Sequence, residues 1–191
     1  MRMITITADV PGRLVDRLGE APKEMKRGLK DVLNEMAKES REELYAKSRS
    51  RYTLKAGKFR KSDIRIRKAT VSRPEAVLTV SGQTESVKSY RIRKNTIRKG
   101  VRTEVIRGSG WKELKMKNGS LKAFVAGVTT GHTGVTHTDV FQRVGSARFP
   151  IRAIHGPSRA KLADVLFRDM QDEKGSELTR RVRALAERTL S

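Results

Sequence analysis

One apolar stripe in the N-terminal third constrains the fold more than any other feature of the sequence. Between residues 22 and 50, apolar residues recur at helical spacing and Lys, Glu and Arg occupy the other positions. The stripe consists of Met25, Leu29, Val32, Leu33, Met36 and Leu44. About 29 residues at a rise of about 1.5 Å give a helix roughly 43 Å long, and Pro22 suits its first turn. A helix of this length with one apolar stripe normally lies across a sheet, so the sequence predicts a long amphipathic helix packed on β-structure.

The middle of the chain changes to a period of two. Ile64 and Ile66 alternate with Arg65 and Arg67, which predicts a strand with one basic face. The same criteria predict an edge strand at Ile4 and Ile6 and further strands at residues 76–81, 87–93, 101–107 and 121–128. A short helix is expected at residues 54–61. Residues 129–138 are rich in Gly and Thr and lack an apolar period, which predicts a loop that serves a function or is ordered by a partner.

The C-terminal region is predicted to be helical from residue 157 to residue 190. Ser158 can cap the first helix, and Gly175 with Ser176 marks an expected break or kink. The predicted fold class is therefore α+β, with a long N-terminal amphipathic helix packed on a twisted antiparallel sheet and with C-terminal helices. We interpret residues 1–191 as one domain, made of the helix at 22–50, a basic β-rich region at 64–155 and the helical region at 157–190.

Charge is concentrated in the middle of the chain. The net charge is +22, yet residues 1–46 carry nine basic and nine acidic side chains, whereas residues 47–68 carry ten basic side chains and one acid. Such a cationic segment indicates an anionic partner, either DNA or an acidic protein surface, although a solvated sheet face is an equally good interpretation. The candidate contact residues are Arg65, Arg67, Arg91, Arg93, Lys94, Arg98 and Lys99.

Several classes of site are disfavoured by the composition. The chain has no cysteine, which excludes disulfides and thiolate metal sites. No apolar run approaches the roughly 20 residues that span a bilayer, so we expect a soluble protein without a membrane partner. His132, His137 and Asp139 could in principle bind a metal, but their spacing in a loop fixes no geometry. We expect no cofactor and no enzymatic activity, since no base and nucleophile stand in a recognisable pattern.

Residues 141–151 follow a strand, turn, strand pattern. Phe141, Val144, Phe149 and Ile151 are expected in the core of the protein, and Gly145 is expected to allow a turn that a residue with a Cβ could not make. The basic residues of the same segment, Arg143 and Arg148, could instead face a partner subunit.

This segment also carries a resemblance to a known family. The residues Phe141, Gln142, Arg143, Val144 and Gly145, followed by Arg148, Phe149, Pro150 and Ile151, resemble the minor tail protein Z family of tailed phages, the tail completion proteins. Weaker similarity extends over residues 66–71, the turn at residues 73–74 and residues 123–125. Residues 82–120 and 129–138 lie outside the resemblance.

The resemblance implies a structural protein at the head-proximal end of the virion tail, assembled in the host cytoplasm. It implies a homo-oligomeric ring of six copies that contacts the tail tube or terminator and the connector, with genomic DNA as a further candidate partner. It brings no catalytic residue. Two alternatives stay open: a stand-alone basic nucleic-acid-binding protein, and a basic nuclease-like enzyme that depends on His132 or His137.

Overall fold

Two compact units, each built from segments that are distant in the sequence, make up the chain. The computed structural model describes residues 2–8, 22–94, 100–114, 122–129, 134 and 136–190, without the side chains of residues 2–8, 94 and 190. Unit 1 contains residues 1–48, 60–83 and 159–191, and unit 2 contains residues 49–59 and 84–158. The fold is α+β, as predicted. The interpretation of residues 1–191 as one domain stays a prediction.

Unit 1 contains a three-stranded antiparallel sheet. Its strands are β1 (Arg2–Ala8), β2 (Ile64–Arg67) and β3 (Ala76–Gly82), in the order β1-β3-β2. The central strand β3 is largely buried, because its run of apolar and β-branched residues is covered on both faces. The predicted edge strand at Ile4 and Ile6 and the strands at 64–67 and 76–81 are confirmed.

The two long helices are α1 (Lys23–Arg51) and α2 (Arg159–Leu190). Apart from the half-buried Val32, the apolar stripe of α1 is buried, with Leu29, Leu33 and Leu44 almost inaccessible to solvent. The side chain of Asn34 ties α1 to the segment after β2: its amide nitrogen donates to the Ala69 carbonyl at 3.1 Å, and its oxygen accepts the Ala69 N–H at 2.8 Å. Helix α2 packs on β1 and β3.

A break at Gly175 and Ser176 does not occur, because α2 continues through both residues as one C-terminal helix. The alternative, a kink at these residues, stays a prediction. Met170 and Leu178, on either side of Gly175, are both buried. Continuous packing of this stripe outweighs the roughly 1 kcal/mol that a helical glycine costs. The Thr179 hydroxyl also donates to the Gly175 carbonyl at 3.0 Å.

Contacts between α1 and α2 stabilise unit 1. Arg181 on α2 donates to Glu39 on α1 at 2.8 Å and to Glu177, one turn before it on α2, at 2.6 Å. Arg180 donates twice to the same Glu177 carboxylate, at 2.9 and 2.8 Å. Hydrogen bonds from these two guanidiniums lower the pKa of Glu177 to about 2. The cluster is therefore an ion-pair network that joins the two helices.

Unit 2 consists of short antiparallel strands around a small apolar core. Its strands are β4 (Thr84–Ser86), β5 (Arg91–Lys94), β6 (Val101–Glu104), β7 (Lys112–Glu113), β8 (Phe124–Thr129), β9 (Thr136–Arg143), β10 (Ile151–Ala153) and β11 (His155–Ser158). They form sheets with the orders β5-β6-β7, β10-β9-β8 and β11-β4. Val87, Val101, Ala123 and Val140 form the core.

Local hydrogen bonding changes two predicted strands. The predicted strand at 87–93 begins as a 3₁₀ turn, Val87–Ser89, because the Ser86 hydroxyl accepts the Lys88 N–H at 3.1 Å, and β5 starts only at Arg91. The predicted strand at 101–107 ends at Glu104, after which the chain forms an isolated bridge between Ile106 and Tyr52 and then turns.

Two further predictions for connecting segments are wrong. The helix expected at 54–61 is absent; the chain turns at Gly57, whose φ of +81° a glycine adopts without strain, and a 3₁₀ turn follows at Lys61–Asp63. The loop expected at 129–138 is shorter, since Thr129 belongs to β8 and Thr136 begins β9, with the two residues paired. Residues 130–133 and 135 lie outside the described residues.

Candidate docking surfaces

The outer face of the sheet β5-β6-β7 brings two of the predicted contact residues together. In this sheet Arg91 lies opposite Glu104, and Arg93 lies opposite Arg102. Directly opposite residues of an antiparallel pair project to the same face, and here that face is exposed at all three arginines. Val101 and Thr103 alternate with them and are buried. The sheet therefore presents three guanidinium groups on one side.

Trp111, just before β7, packs against two of these arginines. The guanidinium carbon of Arg91 lies 5.2 Å from the centroid of the indole ring, and that of Arg93 lies 4.8 Å from it. Both distances are within the range of cation–π attraction, about 6 Å. We call Arg91, Arg93, Arg102 and Trp111 the guanidinium face. Its indole group holds two like charges close together.

A hydrogen bond to the buried carboxylate of Glu104 fixes the position of Arg91. The Glu104 carboxylate is buried, with 6% of the residue exposed, and accepts two hydrogen bonds. One comes from Arg91 at 3.2 Å and the other from the Gly108 N–H at 3.0 Å. The Gly108 turn, with φ of +75°, suits glycine. Arg91 is thus partly neutralised within unit 2.

Arg93 and Arg102 do not take part in these hydrogen bonds, and Arg102 lies opposite Glu113 of β7. Neither guanidinium forms an ion pair with a carboxylate among the residues that the structure describes. Like charges that lie directly opposite on neighbouring strands destabilise a sheet. An anion that bridges the two groups would remove this repulsion, and bidentate recognition of phosphate or carboxylate is characteristic of arginine.

The composition of unit 2 gives the guanidinium face a strongly cationic setting. Unit 2 contains nineteen Lys and Arg residues against four Asp and Glu residues, a net charge of +15. All four carboxylates are engaged inside the unit. Glu104 has been described above. Glu85 accepts a hydrogen bond from the Ser89 hydroxyl, and Glu113 forms an ion pair with Lys122 at 3.6 Å. Asp139 accepts hydrogen bonds from the Ser86 hydroxyl and from the Val140 N–H. The excess positive charge therefore has to be balanced from outside the unit.

A second surface feature is the connection between β9 and β10. Residues 144–150, which we call the β9–β10 tip, are closed by a hydrogen bond of 3.0 Å from the Val144 N–H to the Pro150 carbonyl. Val144 is 48% exposed and Phe149 is 64% exposed. Two large apolar side chains thus project into solvent from one short connection.

The prediction that Phe141, Val144, Phe149 and Ile151 share the core is wrong, because Val144 and Phe149 are exposed and the other two are only partly buried. Phe141 and Ile151 lie within β9 and β10 and are partly buried, while Gln142 between them is buried. Val144 and Phe149 lie beyond the paired residues, where the connection leaves the sheet.

The expected role of Gly145 is also wrong. Gly145 has no positive φ, and a Cβ at this position would meet no atom within 4 Å. The tip is wide enough to turn without a glycine conformation. Pro150 follows Phe149 in the cis form.

Two arginines lie at or next to the tip, and one of them contacts Phe149. Arg143 lies 5.9 Å from the ring centroid of Phe124, and Arg148 lies 5.7 Å from that of Phe149. Both arginines are exposed, as their predicted role as partner contacts requires. No acidic residue occurs between Asp139 and Asp164 in the sequence.

The other predicted contact residues are placed elsewhere. Arg65 and Arg67 are exposed on β2 of unit 1, and Arg67 pairs with Glu75 at 3.1 Å. Lys94 ends β5, but its side chain lies outside the description, as do Arg98 and Lys99 altogether. Sequence reasoning missed Trp111 as a member of the surface. Its signal was that it is the single tryptophan in a chain with a long basic segment.

The residues weighed as a metal site do not form one in the described part of the chain. His137 is exposed on β9, and the Asp139 carboxylate is hydrogen-bonded to Ser86 and Val140. No group of three His, Cys, Asp or Glu side chains suited to a metal occurs among the described residues, and His132 lies outside them. Among the described helices, none combines the length and apolar character needed to cross a bilayer.

Comparison with known proteins identifies no relative. No protein family, no curated protein and no solved structure matches this chain.

Proposed function

We propose that this chain is a structural virion protein of a tailed phage, a tail completion or head–tail joining component at the head-proximal end of the tail. The β9–β10 tip is the observation on which this proposal depends. The segment that resembles the minor tail protein Z family contains an exposed connection with Val144 and Phe149. Exposed apolar groups ringed by polar residues mark contact sites for other proteins, so this segment is suited to binding a neighbouring subunit.

In the proposed assembly, copies of the chain form a ring that matches the sixfold tail tube. Each copy uses one surface to bind a different surface of the next copy. The tail tube or terminator protein and the connector are the neighbouring components, and assembly takes place in the cytoplasm of the host bacterium. Arg143 and Arg148, exposed beside the tip, are suited to an acidic rim on the partner.

A stand-alone nucleic-acid-binding protein is the second candidate function. The guanidinium face and the net charge of +15 on unit 2 favour it. The two functions differ in where the protein is found. A tail component fractionates with phage particles, whereas a stand-alone binding protein fractionates with bulk nucleic acid.

Deletion of the gene from the phage genome that carries it tests the proposal. We expect unjoined heads and tails in electron micrographs of the lysate, and full particles when the gene is supplied in trans. Mass spectrometry of purified wild-type particles is expected to detect the polypeptide. Joined infectious particles without the gene, or purified virions that lack the polypeptide, would disprove the proposed function.

A further inference from the structure

We infer that the guanidinium face binds the phosphate backbone of duplex DNA. The inference rests on the proposed function for its biological setting, the DNA that passes through the head–tail joint, and it names a partner for Arg93 and Arg102, which form no ion pair among the described residues. It concerns Arg93 and Arg102 as the phosphate-binding groups and Trp111, whose ring packs against Arg93, as a positioning group.

The first argument is the juxtaposition of Arg93 and Arg102. Their Cα atoms are directly paired across β5 and β6, which places their Cβ atoms about 4.5–5.5 Å apart. Both side chains are exposed and neither forms an ion pair with a described residue. A phosphate group between the two guanidiniums can accept hydrogen bonds from both, so the pair that repels in the free protein becomes a binding site in the complex.

The second argument is the state of the Trp111 ring. Single-stranded nucleic acids bind to sheets through aromatic rings that stack on the bases. Here the one tryptophan of the chain already packs against Arg91 and Arg93, so its ring orients guanidinium groups instead of offering a free platform. The face therefore recognises backbone charge, without preference for base sequence and without preference for single strands.

The third argument concerns the amount of charge. Unit 2 carries an excess of fifteen positive charges, and Lys94, Arg98 and Lys99 follow Arg93 in the sequence. Duplex DNA presents one negative charge per about 1.7 Å of its axis, a density that balances such an excess. Soluble protein surfaces mostly intersperse charges of both signs, so an acidic protein is the less suitable partner.

Because Trp111 is the only tryptophan, its fluorescence reports on this face without a label. The experiment titrates the full-length chain with a duplex of mixed sequence at several salt concentrations and records the tryptophan emission. We expect a saturable change in emission and an affinity that falls steeply as salt rises, with a slope of roughly −0.9 per phosphate contacted. Poly-glutamate and a single strand of the same length serve as the comparison ligands.

The test variant is Arg93→Gln combined with Arg102→Gln. The matched control is Arg183→Gln combined with Arg188→Gln, which removes the same charge from exposed positions on α2 in unit 1. We expect the test variant to bind duplex DNA about tenfold more weakly or worse and to lose about two units of salt slope, while the control changes little. Circular dichroism of both variants establishes that they are folded.

Three results would overturn the inference. They are equal affinity of the test and control variants for the duplex, tighter binding to the single strand than to the duplex, and equal or tighter binding to poly-glutamate, which would assign the face to an acidic protein. The result is independent of the virion experiment. A chain absent from particles that still binds duplex DNA through Arg93 and Arg102 overturns the proposed function and leaves this inference standing.

Discussion

The ring of Tyr90 occupies the space that a side chain at position 156 would need. A Cβ built on Gly156 would lie 2.5 Å from Cε2 of Tyr90. Tyr90 is fully buried, and its hydroxyl donates to the carbonyl of Pro157 at 2.7 Å. Burial raises the pKa of this hydroxyl well above its ordinary value, so it remains a donor throughout the neutral range. One tyrosine thereby fixes the start of β11 by contact and by hydrogen bond.

Gly156→Ala should therefore destabilise the protein. The added methyl group forces the buried Tyr90 ring or the backbone of β11 to move, which costs about 1–3 kcal/mol in a packed core. Urea denaturation measures the change. Gly145→Ala is the control, because its Cβ would meet no atom within 4 Å, and it should change stability by less than about 0.5 kcal/mol. Equal effects of the two substitutions would contradict the packing argument.

Glu104→Gln should destabilise unit 2 by disturbing the hydrogen bonds beneath the guanidinium face. The carboxylate accepts hydrogen bonds through both oxygens, from Arg91 and from Gly108, whereas an amide has one oxygen and must turn its NH₂ group toward one of these donors. We expect a loss of about 1–3 kcal/mol in the free energy of unfolding. Glu113→Gln, at the more exposed pair with Lys122, should cost less than about 1 kcal/mol. A smaller loss for Glu104→Gln than for Glu113→Gln would show that the buried contacts do not stabilise unit 2.

The stability of unit 1 should depend on pH through the ionisation of the Glu177 carboxyl group. Its pKa is lowered to about 2 by hydrogen bonds from Arg180 and Arg181. A lowered pKa means that the stabilisation is complete above the ordinary value of about 4.5 and is lost as the pH falls toward 2. Glu177→Gln lacks this contribution at every pH. The difference in urea midpoint between the wild type and the variant should be largest above pH 5 and should shrink toward pH 2. A difference that stays constant down to pH 2 would assign the effect to packing.

Gly28 and Leu185 should be energetically coupled. Alanine in place of a helical glycine normally stabilises a helix by about 1 kcal/mol, but a Cβ on Gly28 would lie 2.4 Å from Cδ1 of the buried Leu185. Gly28→Ala should consequently lower the melting temperature. In the double variant with Leu185→Ala, the combined loss should be smaller than the sum of the two single losses. Gly175→Ala on α2 has open space and should raise the melting temperature. Additive losses in the double variant would show that the two positions do not interact.

Phe149→Ser should separate folding from assembly. Because 64% of Phe149 is exposed, its loss should change the free energy of unfolding by less than about 0.5 kcal/mol. Under the proposed function, the variant should fail to restore joined particles when it is supplied to a phage that lacks the gene. Val71→Ser alters an apolar residue of 44% exposure in unit 1 and serves as the control, with restoration expected. Full restoration by Phe149→Ser would exclude the tip as an assembly contact.

The elements that sequence analysis predicted well are those with a long and regular burial pattern. Helix α1 and strands β2 and β3 follow from the positions of Leu29, Ile64 and Val80, because one face of each had to be covered. The burial pattern failed to predict the structure where a local hydrogen bond or a distant packing partner determined the backbone conformation. The Ser86 cap replaced the start of a strand, and burial on both sides of Gly175 kept α2 continuous.

Part of the candidate site was predictable, because side chains alternate between the two faces of a strand. The alternation at Arg91 and Arg93 predicted two guanidiniums on one face of a strand. That Arg102 lies opposite Arg93, and that Trp111 packs against both Arg91 and Arg93, depends on the pairing of β5 with β6 and β7, which no local pattern specifies. The exposure of Phe149 was missed because an aromatic residue between two strands has the same sequence pattern whether its side chain is buried in the core or exposed to solvent.

The interleaved order of segments has a consequence for how the protein is made. A nascent chain translated as far as Ser158 already contains every segment of unit 2, but it lacks α2, which lies on β1 and β3 in unit 1. A chain that stops there can therefore form unit 2, whereas the apolar surface of unit 1 on which α2 lies stays uncovered. Premature stop codons after position 158 would accordingly yield products that bind chaperones through unit 1 and keep an intact unit 2.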